Sequence, residues 1–232
     1  MYITVLAFLC FVATAIGTGL LVIILKRKGI LDIPNQRSSH LSSIPRGGGI
    51  AVVLVITFFW IVDRHISEQW VAGEPFVLMS ATLLGAFCFV DDLRGLSPYL
   101  KLFSQIISVI PGIIILHDTG GIFRMWLPTW VDLMLTGLIW LWFINLFNFM
   151  DGIDGMAGVE TIAITLGIYA IGLVFIPHSS IYGQNLVIAA AMIGFLIWNW
   201  SRAIIFLGDV GSIPLGFLIG WHLFNLAASG FW

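Results

Sequence analysis

Charge is what this chain has least of. Asp, Glu, Lys and Arg make up 9% of its 232 residues, where soluble domains carry about 25%. With 59% hydrophobic residues and a mean hydropathy of +1.05, a soluble globular domain is excluded. Cysteine is nearly absent. Cys10 and Cys88 both lie in apolar runs and read as buried thiols that act as small hydrophobes. No Cys/His spacing fits a zinc site. The Gly-Lys-Ser/Thr ending of a phosphate-binding P-loop is missing, and so is the acid-rich loop of an EF-hand. There is no internal repeat and no low-complexity stretch. No basic segment precedes the first apolar run, so Met1–Leu25 reads as a retained spanning helix, not a cleavable signal. The net charge of −2 discriminates little, and no nucleic-acid partner is expected.

Long apolar runs are what the chain has instead. Runs of about 20 apolar residues span a bilayer as helices, whereas barrel strands would alternate polar and apolar. The content of 25 Gly and 10 Trp agrees with close helix packing and interfacial anchors. The pattern predicts an all-α, polytopic transmembrane bundle of about eight helices. They fall near Ile3–Leu25, Gly48–Val62, Pro75–Val90, Leu100–Leu116, Leu127–Phe147, Met156–Ile176, Gln184–Trp200 and Ser212–Leu226. Lys26, Arg27, Lys28, Arg37, Arg46, Arg94, Lys101 and Arg202 then share one side, against Arg64 and Arg124 on the other. By the positive-inside rule the first side is cytoplasmic and the N-terminus is periplasmic. Asp63, Glu68, Glu74, Asp118 and Asp132 are expected as solvated charges in or beside external loops. The polar stretch Lys26–Gly47 reads as a cytoplasmic loop.

Four constellations on that inner side could carry chemistry. Asp91 and Asp92 end a helix, but neighbouring side chains diverge by about 100°, so one site would hardly use both alike. Either one faces a metal or phosphate while the other orients a neighbour, or both merely mark the helix end. In Asn145-Leu-Phe-Asn148-Phe-Met-Asp151-Gly-Ile-Asp154-Gly155, the two Asn share a helical face. The Asp-Gly pairs then break the helix and allow close backbone approach. The alternative is a simple polar turn. In Phe206-Leu-Gly208-Asp209-Val-Gly211-Ser212, a lone acid opens a helix. It serves as an N-cap or as a metal ligand beside a phosphate attracted to the helix N-terminus. Finally, Arg37, Arg46, Gly47 and Gly48 suit a pyrophosphate or lipid phosphate, unless the loop only enforces topology. His40 is the one inner histidine, a candidate phosphate donor or acid/base as well as a loop hydrogen-bonder. Lys101, among the inner cations, and Ser212, which closes the third motif, join the candidate substrate contacts. Hard oxygen donors without thiols favour Mg²⁺, with Mn²⁺ as the alternative.

In this order, Asp-Asp-Leu-Arg-Gly-Leu-Ser, Asn-x-x-Asn-x-x-Asp-Gly-x-Asp-Gly and Phe-x-Gly-Asp-Val-Gly-Ser resemble the polyprenyl-phosphate N-acetylhexosamine-1-phosphate transferases, glycosyltransferase family 4. Asp32-Ile-Pro-Asn-x-Arg-Ser-Ser-His and Pro-Arg-Gly-Gly-Gly resemble the O-antigen-initiating branch. The resemblance implies a Mg²⁺-dependent transfer of N-acetylamino-sugar-1-phosphate from a UDP-sugar to undecaprenyl phosphate. The products would be undecaprenyl-pyrophosphoryl sugar and UMP. It implies Asp209 as leading metal ligand, with Asp91 orienting or deprotonating the lipid phosphate and Asp92 beside it. Asn148, Asp151 and Asp154 would hold metal, phosphates or nucleotide, with Asn145 among the substrate contacts. The implied setting is the bacterial inner membrane with a cytoplasmic site, among membrane lipids; a homodimer is left open. Members commonly continue with further helices and a histidine-bearing loop, so residues 1–232 are expected as a single transferase domain lacking both. Two other classes stay open. One is an inactive truncated homologue serving as an interaction subunit. The other is a cation-coupled transporter, which would place acids near mid-membrane in both halves.

Overall fold

A computed structural model of the chain describes residues 2–34, 42–68, 70, 73–118, 120–123, 126–175 and 181–230. Among these are eight helices: α1 (Tyr2–Lys28), α2 (Gly49–Ser67), α3 (Glu74–Arg94), α4 (Pro98–Asp118), α5 (Thr129–Met150), α6 (Met156–Phe175), α7 (Ile181–Asn199) and α8 (Asp209–Ala228). Among the described residues, seven of them, α1 to α6 and α8, are long and apolar enough to cross a membrane, and the chain is a polytopic helical bundle. Two short strands, β1 (Leu31–Asp32) and β2 (Ile44–Pro45), pair antiparallel after α1.

The bundle is built around α8. Every residue from Val210 to His222 is buried, as befits a helix apolar on all sides. Helices α3, α5 and α2 pack on it, α4 leans on α3 and α5, and α7 sits among α1, α6 and α2. Without a hydrophobic drive between helices in lipid, small residues set the closest approaches. At the crossing of α2 and α8, a Cβ on Gly49 would lie 2.2 Å from Gly211 Cα. That contact seats the start of α2 against the start of α8.

The helices predicted as short run further than expected. Helix α2 continues to Ser67 and α3 to Arg94, while α8 starts at Asp209. Charged residues fail to end them because these charges find partners inside the protein. Asp63, Glu74 and Asp132, expected as solvated, are in fact buried, at 1%, 2% and 6% exposure. Glu68 and Asp118 are exposed, as expected. Glu74 Oε1 accepts from Arg64 Nη2 at 2.8 Å, Arg64 Nε at 2.9 Å and Trp60 Nε1 at 2.8 Å, and also from Gln184. Asp63 lies 3.7 Å from Arg64 and accepts from the Tyr2 hydroxyl at 3.3 Å. Asp132 accepts from Thr136 at 3.1 Å. The Arg64 knot ties α1, α2, α3 and α7 at the end opposite the acid motifs. Glu74→Ala would take from the buried Arg64 guanidinium its closest acid, leaving Asp63 at 3.7 Å. It is expected to cost about 3–5 kcal/mol, read as a fall in the thermal unfolding midpoint in detergent that exposed Asp118→Ala does not show.

Candidate active site

The acid motifs meet at one end of the bundle, where α3 and α5 finish and α4 and α8 begin. Asp209 is the first residue of α8. Its oxygens face two cations from distant elements: Arg46 Nη2 lies 3.0 Å from Oδ1, and Lys101 Nζ pairs with Oδ2. The same cations reach the acids that end α3. Arg46 lies 2.8 Å from Asp92, and Lys101 lies 2.7 Å from Asp91. Three carboxylates and two cations therefore form one alternating cluster.

Local sequence explains each placement. Asp91 Oδ1 accepts the Leu96 N–H at 2.7 Å across the turn that Gly95 makes with φ 62°. Asp92, turned around the helix, accepts the Val210 N–H at 3.1 Å. It thereby caps α8 from another helix, and its charge suits the positive end of that helix. The pair does diverge into two tasks. Asp209 itself is not the N-cap; that position is Gly208, whose φ is 75°. A Cβ there would come within 3.0 Å of Asp92 Oδ2 and 3.3 Å of Arg46 Cγ, so a side chain would crowd the ion pairs. Arg46 is fixed by a parallel bridge to Phe206. Gly47 and Gly48 donate their N–H groups to Phe206 O at 3.2 and 2.9 Å. Those glycines are thus engaged in joining the early loop to the α7–α8 connection.

Asp151 follows α5 and faces the same cluster. Burial, and then the neighbouring Asp209 charge, push its carboxyl well above the usual carboxylate range, against the pull of Arg46 and the Gly208 N–H. Burial alone would weaken the charged form of Arg46, but Asp92, Asp209 and Asp32 hold its pKa above the ordinary value. Asn148 Oδ1 accepts from Ser212 Oγ at 2.5 Å, linking α5 to α8. Asn145 is turned elsewhere. Its Nδ2 donates to Gln105 Oε1 and to Leu141 O, both at 2.7 Å. Asp154 accepts the Ala203 N–H at 2.9 Å and pins the α5–α6 loop to the α7–α8 connection. Arg37 and His40 lie outside the described residues.

Two features of this cluster bear on chemistry. The side chains of Asp91 and Asp92 are each 6% exposed, while Arg46 is 38% and Lys101 27% exposed. The acids at the end of α3 lie beneath and the cations are the more exposed partners. No group of three His, Cys, Asp or Glu with metal-site geometry occurs among the described residues. Mg²⁺ needs none, since it commonly takes one or two carboxylates with substrate phosphates and water. Asp209 and Asp151 with Asn148 supply such hard oxygens, and a cation there would offset both the burial and the Asp209 charge that raise Asp151.

Sequence reasoning missed Gln105 as the partner of Asn145. It also missed Asn199, which accepts from Gly155 N–H at 3.0 Å and donates to Ile205 O at 2.9 Å.

The chain is similar in sequence to known proteins. The decaprenyl-phosphate N-acetylglucosaminephosphotransferase of Mycolicibacterium smegmatis is 28% identical over 90% of this chain and 56% of its own length. The undecaprenyl-phosphate alpha-N-acetylglucosaminyl 1-phosphate transferase of Escherichia coli K12 is 30% identical over 85% and 55%. The phospho-N-acetylmuramoyl-pentapeptide-transferase of Lacticaseibacillus paracasei is 30% identical over 75% and 59%. The chain thus spans somewhat over half the length of these curated relatives. The sequence profile of glycosyl transferase family 4 matches residues 75–227. That stretch holds Lys101 and all three acid motifs, and by this match the chain belongs to glycosyl transferase family 4.

Proposed function

We propose that the chain carries the phosphotransfer centre of a polyprenyl-phosphate N-acetylamino-sugar-1-phosphate transferase. The observation that carries this reading is Asp209 at the start of α8, held between Arg46 and Lys101, which also engage Asp92 and Asp91. The donor is a UDP-N-acetylamino sugar and the acceptor undecaprenyl phosphate. The names of similar proteins support N-acetylglucosamine as the first sugar to try. The resemblance of Asp32–His40 and Pro45–Gly49 supports a product that starts O-antigen or another cell-envelope polysaccharide. The concentration of basic residues at the site's end supports a cytoplasmic face of the bacterial inner membrane.

Phosphoryl transfer asks a protein mostly for positioning and charge stabilisation. Arg46 and Lys101 draw two anionic phosphates to one spot. Asp91 and Asp92 hold those cations in place from below. A phosphate monoester has a second pKa of about 6 and is largely a dianion at neutral pH. Asp91 therefore positions the attacking lipid phosphate through Lys101 and need not remove a proton. A phosphate oxygen of the lipid attacks the sugar-bearing phosphorus, and the bond to UMP breaks. Mg²⁺, held by Asp209 and Asp151 with Asn148, would supply charge neutralisation on the pyrophosphate. The test is to incubate the purified chain with undecaprenyl phosphate, Mg²⁺ and a panel of UDP-sugars. UMP release matched by lipid-linked sugar is the expected result; neither product with any donor would overturn the reading.

A further inference from the structure

Both oxygens of Asp209 are engaged by side-chain cations. Arg46 Nη2 lies 3.0 Å from Oδ1, and Lys101 Nζ pairs with Oδ2. Each cation also keeps a second acid. Arg46 lies 2.8 Å from Asp92, and Lys101 lies 2.7 Å from Asp91. Those two acids are anchored in turn, Asp92 by the Val210 N–H and Asp91 by the Leu96 N–H. Either cation can therefore leave Asp209 without being stranded. Both are more exposed than the acids they hold.

Arg46 and Lys101 thus stand where they oppose any further positive charge on the Asp209 carboxylate. A unit charge and a divalent one about 5 Å apart repel by about tenfold in affinity even at the dielectric of water. The same two side chains bind phosphates well, through charge-assisted hydrogen bonds. Phosphate groups that engage them would draw Arg46 and Lys101 away from Asp209. Its carboxylate oxygens would then be open to an ion, and the phosphates would offset the two positive charges.

We propose that Arg46 and Lys101 form a charge gate on Asp209: they hold its carboxylate closed to a divalent ion until the phosphate groups of a substrate draw them off, so that ion and substrate bind cooperatively. The inference rests on the transferase reading above, in which the donor diphosphate and the lipid phosphate both carry such groups. Linkage makes the effect reciprocal. Whatever factor the phosphates add to ion affinity, the ion adds to theirs. Asp91 and Asp92 are positioning residues of the gate, since they keep each cation beside Asp209 when it lets go.

The test follows Mn²⁺ binding to the full chain in detergent by electron paramagnetic resonance. Without nucleotide or lipid, Arg46→Gln and Lys101→Gln are each expected to bind Mn²⁺ about tenfold tighter than wild type. Arg46→Lys keeps the charge and stays within about twofold. Adding Asp209→Asn to either Gln variant removes the gain, which locates the ion. Lys101→Gln carries the same prediction from a different element should Arg46→Gln fail to fold. UDP is expected to tighten Mn²⁺ binding to wild type beyond what chelation by free UDP accounts for, and to do so less in the Gln variants. Undecaprenyl phosphate in place of UDP separates the two sources of phosphate. No tightening assigns the gate to the donor, and tightening that matches UDP assigns it to both substrates. Unchanged Mn²⁺ affinity in both Gln variants, equal gains in Arg46→Lys and Arg46→Gln, or no tightening with either phosphate overturns the proposal. A chain that releases UMP from no UDP-sugar defeats the transferase reading, whereas the Gln variants read the gate without any turnover.

Discussion

Asp209→Asn is expected to lower sugar-1-phosphate transfer by about 10³-fold or more while leaving the protein folded. Removing one well-placed electrostatic group from a transfer site typically costs 10²–10³-fold. Asp209 partners both cations and, in the proposed centre, would also give a hard oxygen to the ion. Folding survives because neither cation is stranded: Arg46 keeps Asp92 at 2.8 Å and Lys101 keeps Asp91 at 2.7 Å. The α8 N-terminus also keeps its cap, which comes from Asp92. UMP release and a thermal melt in the same detergent measure the two halves of this prediction. Wild-type turnover by the variant would remove Asp209 from the site.

Chelation is expected to have an effect of the same size. The described residues offer no three-acid cage, so a divalent ion at Asp209 and Asp151 would lean on substrate phosphates and water for its remaining ligands. An ion held that way exchanges readily. EDTA should reduce transfer to background, and Mg²⁺ added in excess should restore it, with Mn²⁺ as a working substitute. Full turnover in chelator would show that Arg46 and Lys101 carry the phosphate charge unaided.

Helix number and order were legible in the chain because apolar runs of spanning length leave little freedom. Helix ends were less so, above all where a charged residue stands near one. A charged residue reads as an exit to water, yet Asp63, Arg64, Asp91, Asp92 and Asp209 all continue or open helices because each is paired inside. Convergence of the acid motifs on one end followed from counting spans. Their partners did not, since Arg46, Lys101 and Asp209 are brought together only by the packing of α4 and α8 and by the bridge from Arg46 to Phe206. Asn145 looked equivalent to Asn148 on its helix face. The neighbour that distinguishes them, Gln105, sits on α4, where no local pattern points to it.

Manganese binding followed by electron paramagnetic resonance asks most directly whether Asp151, just after α5, and Asp209, at the start of α8, share one ion. In the presence of UDP, the wild-type chain should bind a single Mn²⁺. Asp151→Asn and Asp209→Asn should each weaken that same site, and the double variant should lose little beyond the stronger single change. Mn²⁺ binding that ignores both substitutions, or two sites lost independently, would contradict the shared pocket.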